Sequence, residues 1–244
     1  KYHIDRMISE WSGREDPSVE KFLMQGGMLS FPHTYLDASL GPIVRTVWAL
    51  LKTGKKRVIA LGVMHGLNDF DPSKEFSLDN FRYVLKRSGE LYGYDAPELE
   101  EVFLPMRPRG EGTDQERSKE QAEDVRYLKK GLDIGSALVM TGDLAHYGAP
   151  YGTRDMIEDP ADLIKGQILD CLELIYSRKD PGTYYERSIE CGNDQWAVAT
   201  AASSLFDEEL DHEVFSLDLA DYSDVFQVPP PCLVASVFYG VWPK

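Results

Sequence analysis

Two short apolar runs set the limits on how this chain can fold. Residues 57–63 (RVIALGV) and 136–141 (SALVMT) are largely apolar and rich in branched aliphatic side chains, which is typical of strands buried on both faces of a sheet. Because such strands need helices on both sides, the runs predict an α/β fold. A chain of 244 residues suits one α/β domain of the larger kind, so we predict that residues 1–244 form a single domain.

Helical periodicity fills the intervals between the apolar runs. Gly41 and Pro42 predict the start of a helix, because proline suits the first turn, and Gly54 predicts its end. Further helices are predicted over residues 79–87, 114–130, 160–178, 184–189 and 195–206, and further strands over residues 213–220 and 233–241. This alternation predicts a mostly parallel or mixed central sheet flanked by helices on both faces.

The charge balance restricts the class of partner. The formal net charge is -15 and the sequence pI is about 4.7. An acidic surface repels phosphate backbones and anionic membranes, so we expect no nucleic-acid or membrane partner.

No apolar run is long enough to span a bilayer. Three cysteines do not indicate a disulfide framework, and the charged first 16 residues lack a signal-peptide core, so we expect a cytoplasmic location.

Three histidines stand beside the predicted elements in places that favour a site. His65 follows the first apolar run (VMHG), His146 follows the second (TGDLAHYG), and His33 (FPHTYLD) precedes the helix expected at Pro42. Open α/β sheets bind ligands at the carboxyl ends of their strands, so His65 and His146 are predicted to face one crevice. The alternative, that each is an ordinary hydrogen-bonded histidine, stays open at this level.

Two further residues are candidates for the same site. Asp143, three residues before His146, is placed to orient that imidazole, since a carboxylate often fixes a histidine tautomer; its alternative role is to cap a short turn. Cys191 lies between two helical patterns and is flanked by Gly192. A thiolate there is a strong ligand for iron, copper or zinc, and the alternative is a buried, inert cysteine.

Other catalytic motifs are absent from the sequence. There is no G-x-G-x-x-G after a strand, no Walker A sequence, no G-x-S-x-G and no C-x-x-C pair. The acidic residues 68–79 lack the glycine and the spacing of an EF-hand. The histidines and Cys191 are therefore the strongest candidates for chemistry.

Four segments in order resemble the Memo family, which shares its fold with the class III extradiol ring-cleaving dioxygenases. The run FPHTYLDASLGPIVRTVWALLKTGKKRVIALGVMHG is similar to a block with a P-H-A-G-like turn, a helix and a strand ending in G-P-S-H; TGDLAHYG is similar to S-S-D-L-S-H-Y, IECGNDQWAV to I-C-G-x-x-P-I, and CLVASVFYG to the last strand. The chain departs from the family at residues 97–105 (PELEEVFLP), where a histidine is missing, at bulky Tyr35 and Leu36, and over its first 30 residues.

The resemblance implies a metal site. In the ring-cleaving enzymes two histidines and a glutamate bind Fe(II), and a further histidine is the acid/base residue. By that correspondence His33, His65 and Cys191 hold the metal, with Cys191 at the position of the glutamate. His146 is then the acid/base residue, oriented by Asp143.

The function that the resemblance implies is that of a mononuclear non-haem oxidase or dioxygenase. Its cofactor is expected to be Fe(II), with copper or zinc as alternatives because a thiolate is a softer ligand. Its partners are expected to be O2 and a small aromatic substrate such as a phenol, catechol or indole-like ring. Tyr147, expected to be a catalytic residue, and Tyr35 are expected to line the pocket or to donate a hydrogen bond to bound oxygen. The alternatives are a non-catalytic Memo-like protein that binds a metal or peptide in signalling, and a zinc hydrolase.

Overall fold

The chain folds around a seven-stranded mixed sheet. The structure, a computed structural model, describes residues 2–12, 14–65, 75–106, 113, 116, 123, 125–132, 135–153 and 156–244. The strands are β1 Met28–Phe31, β2 Arg57–Met64, β3 Glu98–Pro105, β4 Ser136–Thr141, β5 His146–Tyr147, β6 Leu210–Asp221 and β7 Leu233–Pro243. The α-helices described are α1 Tyr2–Trp11, α2 Pro17–Met24, α3 Leu36–Lys52, α4 Asp79–Tyr92, α5 Ala161–Leu172, α6 Pro181–Cys191, α7 Trp196–Ser204 and α8 Ser223–Phe226.

The strand order brings the ends of three parallel strands together. The order is β3-β2-β4-β1-β7-β5, with β6 paired to β7. Strands β1 to β4 pair in parallel, whereas β7 is antiparallel to its neighbours β1, β5 and β6. Phe31 and Thr141, the last residues of β1 and β4, are register partners. The residues that follow β1, β2 and β4 therefore emerge at one edge of the sheet.

Hydrophobic cores lie on both faces of the sheet. Along β2, Val58 and Ala60 join the core formed with α1 to α4. Their neighbours Ile59, Leu61 and Val63 join the core formed with α5 to α7. Successive strand side chains point to opposite faces, so a strand that feeds both cores must be apolar at nearly every position. The predicted α/β architecture, with a mixed sheet flanked by helices on both faces, is confirmed.

The helix after His33 begins earlier than predicted. Gly41 and Pro42 were expected to open it, but α3 begins at Leu36 and Pro42 lies inside it. The carbonyl of Tyr35 accepts the first helical hydrogen bonds, from the N–H groups of Ala38 and Ser39. A proline inside a helix removes one backbone hydrogen bond. Burial of the apolar face of α3 in the core outweighs this local preference.

The other predicted elements are present with shifted ends, and six of the described strands and α-helices were not predicted. The missed elements are α1, α2, β1, β3, β5 and α8. The helix predicted over residues 160–178 is α5 continued by a π-helical turn at Glu173–Ser177. The helix predicted over residues 114–130 lies largely outside the described residues, and its described end, Val125–Gly131, is a 3-10 helix. Among the described residues, no helix combines the length and apolar character needed to cross a bilayer.

Candidate metal centre

The carboxyl ends of β1, β2 and β4 deliver three side chains to one place. His33 comes two residues after β1, His65 directly after β2, and Asp143 two residues after β4. His146 begins the short strand β5, which pairs with the start of β7. Parallel strands end at the same edge of a sheet, and this topology accounts for the meeting of the three histidines that the sequence singled out.

Asp194 completes the cluster and was not predicted. It lies in the loop between α6 and α7, and its side chain is only 4% exposed. Two hydrogen bonds fix it against Asp143: the N–H of Asp194 donates to the Asp143 carbonyl at 3.2 Å, and the N–H of Asp143 donates to Oδ1 of Asp194 at 2.8 Å. Oδ2 of Asp194 is left to face the histidines.

Three imidazoles converge on that single carboxylate oxygen. Oδ2 of Asp194 lies 3.3 Å from Nε2 of His33, and 3.9 Å from Nε2 of both His65 and His146. The Nε2 atoms of His33 and His65 are 3.2 Å apart. The side chain of His33 is 6% exposed, whereas those of His65 and His146 are 27% and 18% exposed. The cluster is thus buried on the His33 side and open to solvent beside His65 and His146.

The outer nitrogen of each ring has its own partner. Nδ1 of His146 donates to the carbonyl of Gly192 at 2.6 Å, and Nδ1 of His65 lies 2.9 Å from Oε1 of the buried Glu75. Nδ1 of His33 lies 3.4 Å from Oγ1 of Thr141. An N–H at Nδ1 that is held by a carbonyl or carboxylate leaves the Nε2 lone pair facing inward, as in metal-binding histidines.

The electrostatics of the cluster favour a bound cation. Burial alone would lower the pKa of His33, but attraction by Asp143 and Asp194 outweighs it and raises the pKa to about 9. Burial would raise the pKa of Asp194, but His33, His65 and His146 hold it well below its usual range. The pKa of Asp143 is raised, chiefly by burial. The cluster therefore stabilises positive charge among two buried carboxylates.

The donor atoms of this cluster could hold a metal ion. Oδ1 of Asp143 is buried and has no hydrogen-bond partner among the described residues, which is costly for a carboxylate unless a cation lies nearby. Two sets of side chains bring potential ligand atoms within 4.8 Å of one another: His33, His65 and Asp194, and Asp143, His146 and Asp194. Imidazole nitrogens with carboxylate oxygens are a common donor set for Fe(II) and Zn(II).

Cys191 does not lie in this cluster, which corrects the expectation that it is the third ligand. It is the last residue of α6, is 4% exposed and belongs to the core beneath that helix. Its thiol contacts the carbonyls of Leu144 at 3.5 Å and Ser188 at 3.7 Å. Neither candidate set of ligands among the described residues includes it. The helix turn that ends at Gly192 directs the thiol inward and leaves Asp194 to face the histidines.

Two other expected roles differ in the structure. The ring of His146 is oriented by the carbonyl of Gly192 and not by Asp143. The hydroxyl of Tyr147 accepts a hydrogen bond from the N–H of Ile157 at 2.7 Å, and Tyr147 is 7% exposed within the core. Its side chain therefore serves packing and the attachment of a loop. Tyr35 is about half exposed, and its N–H donates to the hydroxyl of Tyr222.

Aromatic side chains surround the cluster. Phe76 stacks on His65 with ring centroids 4.6 Å apart, and Tyr151 lies 4.8 Å from the ring of His146. Phe226 contacts Tyr151, and Tyr222 contacts both Phe226 and Tyr35. We call Tyr35, Phe76, Tyr151, Tyr222 and Phe226 the aromatic rim. Two cavities of about 390 and 420 Å³ lie elsewhere in the molecule and include none of the cluster's residues.

Comparisons with known proteins add little to this geometry. The chain matches no family model and no curated protein. Among solved structures it is similar to that of the uncharacterized protein JW3007 from Escherichia coli K12, at 10% sequence identity and a TM-score of 0.43. That likeness covers 88% of this chain and 99% of the other. The function has to be argued from the cluster itself.

Proposed function

We propose that this protein is a metal-dependent enzyme, a non-haem Fe(II) oxygenase that acts on a small aromatic substrate with O2. The metal ligands in this proposal are His33, His65 and Asp194. The observation that carries it is the convergence of the histidine Nε2 atoms on Oδ2 of Asp194, within 3.3 to 3.9 Å. Two imidazoles and one carboxylate form the ligand set that non-haem Fe(II) oxygenases use.

With Asp194 and not Cys191 as the third ligand, the site is better suited to iron. A carboxylate is a harder ligand than a thiolate and suits Fe(II) better than Cu(I). Glu75 completes a carboxylate–histidine–metal arrangement at His65, since its Oε2 also accepts the backbone N–H of His65 at 2.9 Å. Copper and zinc remain alternatives for the same residues.

His146 is the group that we assign to proton transfer. The Gly192 carbonyl holds its Nδ1–H, so Nε2 is a proton acceptor on the open side of the cluster. Oδ2 of Asp194 lies 3.9 Å from that nitrogen, so His146 is placed to take a proton from a substrate bound beside the cluster. When bound, Fe(II) supplies a redox centre with open positions for substrate and O2.

The aromatic rim supports an aromatic substrate. Phe76 is 53% exposed and Phe226 is 45% exposed, although both lie beside site residues. Exposed aromatic faces gathered at the mouth of a site offer offset or edge-to-face contacts to a planar ring, each worth about 0.5–1.5 kcal/mol beyond the area buried. The rim would also keep water from the cluster once a substrate is bound.

A zinc hydrolase is the second candidate, because two histidines and a carboxylate also form a catalytic zinc site. In that case the group activated beside His146 is a water molecule and no oxygen is consumed. A protein that binds a metal without turnover is the third, and it would have no use for an oriented proton acceptor at His146. Metal content and oxygen consumption separate the three.

The test is anaerobic reconstitution with Fe(II), followed by metal analysis and O2 uptake with phenols, catechols and indoles. We expect the parent chain to retain iron and consume O2, and His65→Ala to lose the iron. His146→Ala should keep the iron and lose turnover by about 10²- to 10⁴-fold. His3→Ala, at an exposed histidine that belongs to neither candidate set of ligands, is the control and should match the parent.

Two results would overturn the proposal. Failure of the parent to bind iron would remove the metal site. Binding of iron with no O2 uptake, combined with ester or amide hydrolysis by the zinc-loaded chain, would establish the hydrolase instead.

We also propose a cytoplasmic location, which the three free cysteines support and which fractionation of expressing cells would check.

A further inference from the structure

The side chains of the cluster form two triads rather than one group of five. The first triad is His33, His65 and Asp194, and the second is Asp143, His146 and Asp194. Within each triad the ligand atoms lie within 4.8 Å of one another. Asp194 belongs to both triads, and the remaining members of each belong to one alone.

One ion does not explain this arrangement. Metal–nitrogen and metal–oxygen bonds of about 2.0–2.2 Å keep the ligands of a single ion within about 4.4 Å of each other. The ligand atoms of each triad are separated by distances close to that limit. The ligand atoms of the two triads do not together form one such set. The proposed catalytic ion uses the first triad and leaves Asp143 and His146 without a metal.

The unpartnered carboxylate oxygen of the cluster belongs to the second triad. Asp143 is 3% exposed, and its Oδ1 has no hydrogen-bond partner among the described residues. The inward nitrogen of His146 is fixed in direction by the Gly192 carbonyl at Nδ1. Asp194 offers Oδ2 to both triads, and a carboxylate oxygen carries two lone pairs. A bridging carboxylate is the common link between two ions in one site.

We propose that Asp143, His146 and Asp194 form a second, weaker position for a divalent transition-metal ion, which shares Asp194 with the first. The proposal rests on the function proposed above. The second position is weaker because two cations that share a carboxylate repel each other at short range. An ion bound there uses the Nε2 lone pair that proton transfer requires. Occupancy of the second position therefore inhibits turnover, and excess metal is an inhibitor.

The test is equilibrium dialysis of the metal-free chain against Zn²⁺, with metal analysis at each free concentration. The parent is expected to bind two ions with dissociation constants at least about tenfold apart, since only the second position includes repulsion between ions. Asp143→Asn, which keeps the side-chain shape, should bind one ion, and should bind it more weakly than the parent binds its first ion, because a carboxylate 3.7 Å from Nε2 of His33 loses its charge. Asp218→Asn, at an exposed aspartate of β6, is the matched control and should still bind two.

A second variant distinguishes loss of the second metal position from misfolding of Asp143→Asn. His146→Ala alters a partly exposed ring and should likewise bind one ion, with unchanged circular dichroism. The loss of oxygen uptake by the iron-loaded parent should follow occupancy of the second position as Zn²⁺ is added.

The possible results are distinct. A single ion in the parent at saturation, or two ions in both Asp143→Asn and His146→Ala, overturns the second position and leaves the proposed function standing. No ion in the parent overturns the proposed function, and the second position with it.

Discussion

At the scale of single residues, the site depends on the direction in which each side chain points at the end of α6. Cys191 and Asp194 are three residues apart, yet one faces a core and the other faces the histidines. Gly192, in the left-handed conformation at φ 67°, turns the chain between them. Local sequence shows that a turn occurs here, but the direction of each side chain depends on how α6 packs against the sheet.

Substitutions at these two positions separate the two candidate ligands. Asp194→Asn should weaken metal binding by more than about 100-fold, because loss of outer partners alone costs 10- to 100-fold. Cys191→Ala should leave metal affinity unchanged and cost about 1 kcal/mol of unfolding free energy through the small cavity it leaves. Metal titration and denaturant unfolding of both variants measure these effects. The reverse result, with metal lost in Cys191→Ala alone, would restore the thiolate as the third ligand.

The histidines of the site could be predicted from the sequence, whereas its carboxylates could be predicted only in part. His65 and His146 follow apolar runs that are typical of buried strands, and topology places the ends of such strands together. Asp143 was predicted near the site, although with a different role. Asp194 lies between two helices, where an aspartate is ordinarily a cap or a surface residue. Glu75 lies in the acidic segment 68–79, which has no metal-binding spacing. Their burial against histidines depends on tertiary contacts.

At the scale of elements, the loop between α6 and α7 is held by buried polar side chains. Asn193 donates through Nδ2 to Tyr184 and Ser188. Gln195 donates to Ser30 of β1 and accepts from Tyr239 of β7. These bonds attach the loop to its own helix and to the centre of the sheet. Such fully satisfied networks fix one loop conformation, which is what a ligand such as Asp194 requires.

Two glycines at helix ends provide a matched comparison. Gly192 ends α6 at φ 67° and Gly93 ends α4 at φ 70°. Either Gly→Ala change should cost about 1–2 kcal/mol of unfolding free energy, since alanine is disfavoured at positive φ. An added Cβ at Gly192 would also lie 3.0 Å from the carbonyl oxygen and 3.1 Å from Cβ of His146, whereas one at Gly93 meets nothing within 4 Å.

The expected result is that only Gly192→Ala disturbs the site. Gly192→Ala should lose at least as much stability in denaturant as Gly93→Ala, and it alone should lower turnover, because it displaces the ring that the Gly192 carbonyl orients. Oxygen uptake and unfolding midpoints of the two proteins check this. Equal turnover in both would show that His146 does not depend on this loop.

The elements that the sequence revealed are those with a strong local pattern. Strands β2 and β4 were predicted almost to the residue because every position after Arg57 in β2, and every position in β4, is apolar or small. Strand β1 has four residues, MLSF, which is too short for a periodic signal, and β3 at the sheet's edge mixes acidic and apolar residues. Pro42 was misleading because the rule for proline describes helix preference in isolation, whereas α3 is held by its buried face.

At the scale of the whole molecule, the cluster ties together segments that are distant in sequence. His33 and His65 follow strands of the sheet, and Asp194 belongs to the helical layer on the α5 to α7 side. Because the unfolded chain has no preformed site, a metal ion bound by all three stabilises the folded state by RT ln(1 + [L]/Kd), about 2.7 kcal/mol at a hundredfold excess over Kd.

This stabilisation should appear as a metal-dependent melting temperature. For a chain of this size about 1 kcal/mol shifts Tm by roughly 2–4 °C, so a hundredfold excess of metal over Kd should raise Tm by about 5–10 °C. Calorimetry of metal-free and metal-loaded protein measures the rise. Asp194→Asn should show little rise, while His3→Ala, which alters an exposed histidine paired with Asp37, should show the full rise. An equal rise in Asp194→Asn would mean that the ion binds elsewhere on this acidic chain, and that the convergence of three histidines on one carboxylate has a structural role alone.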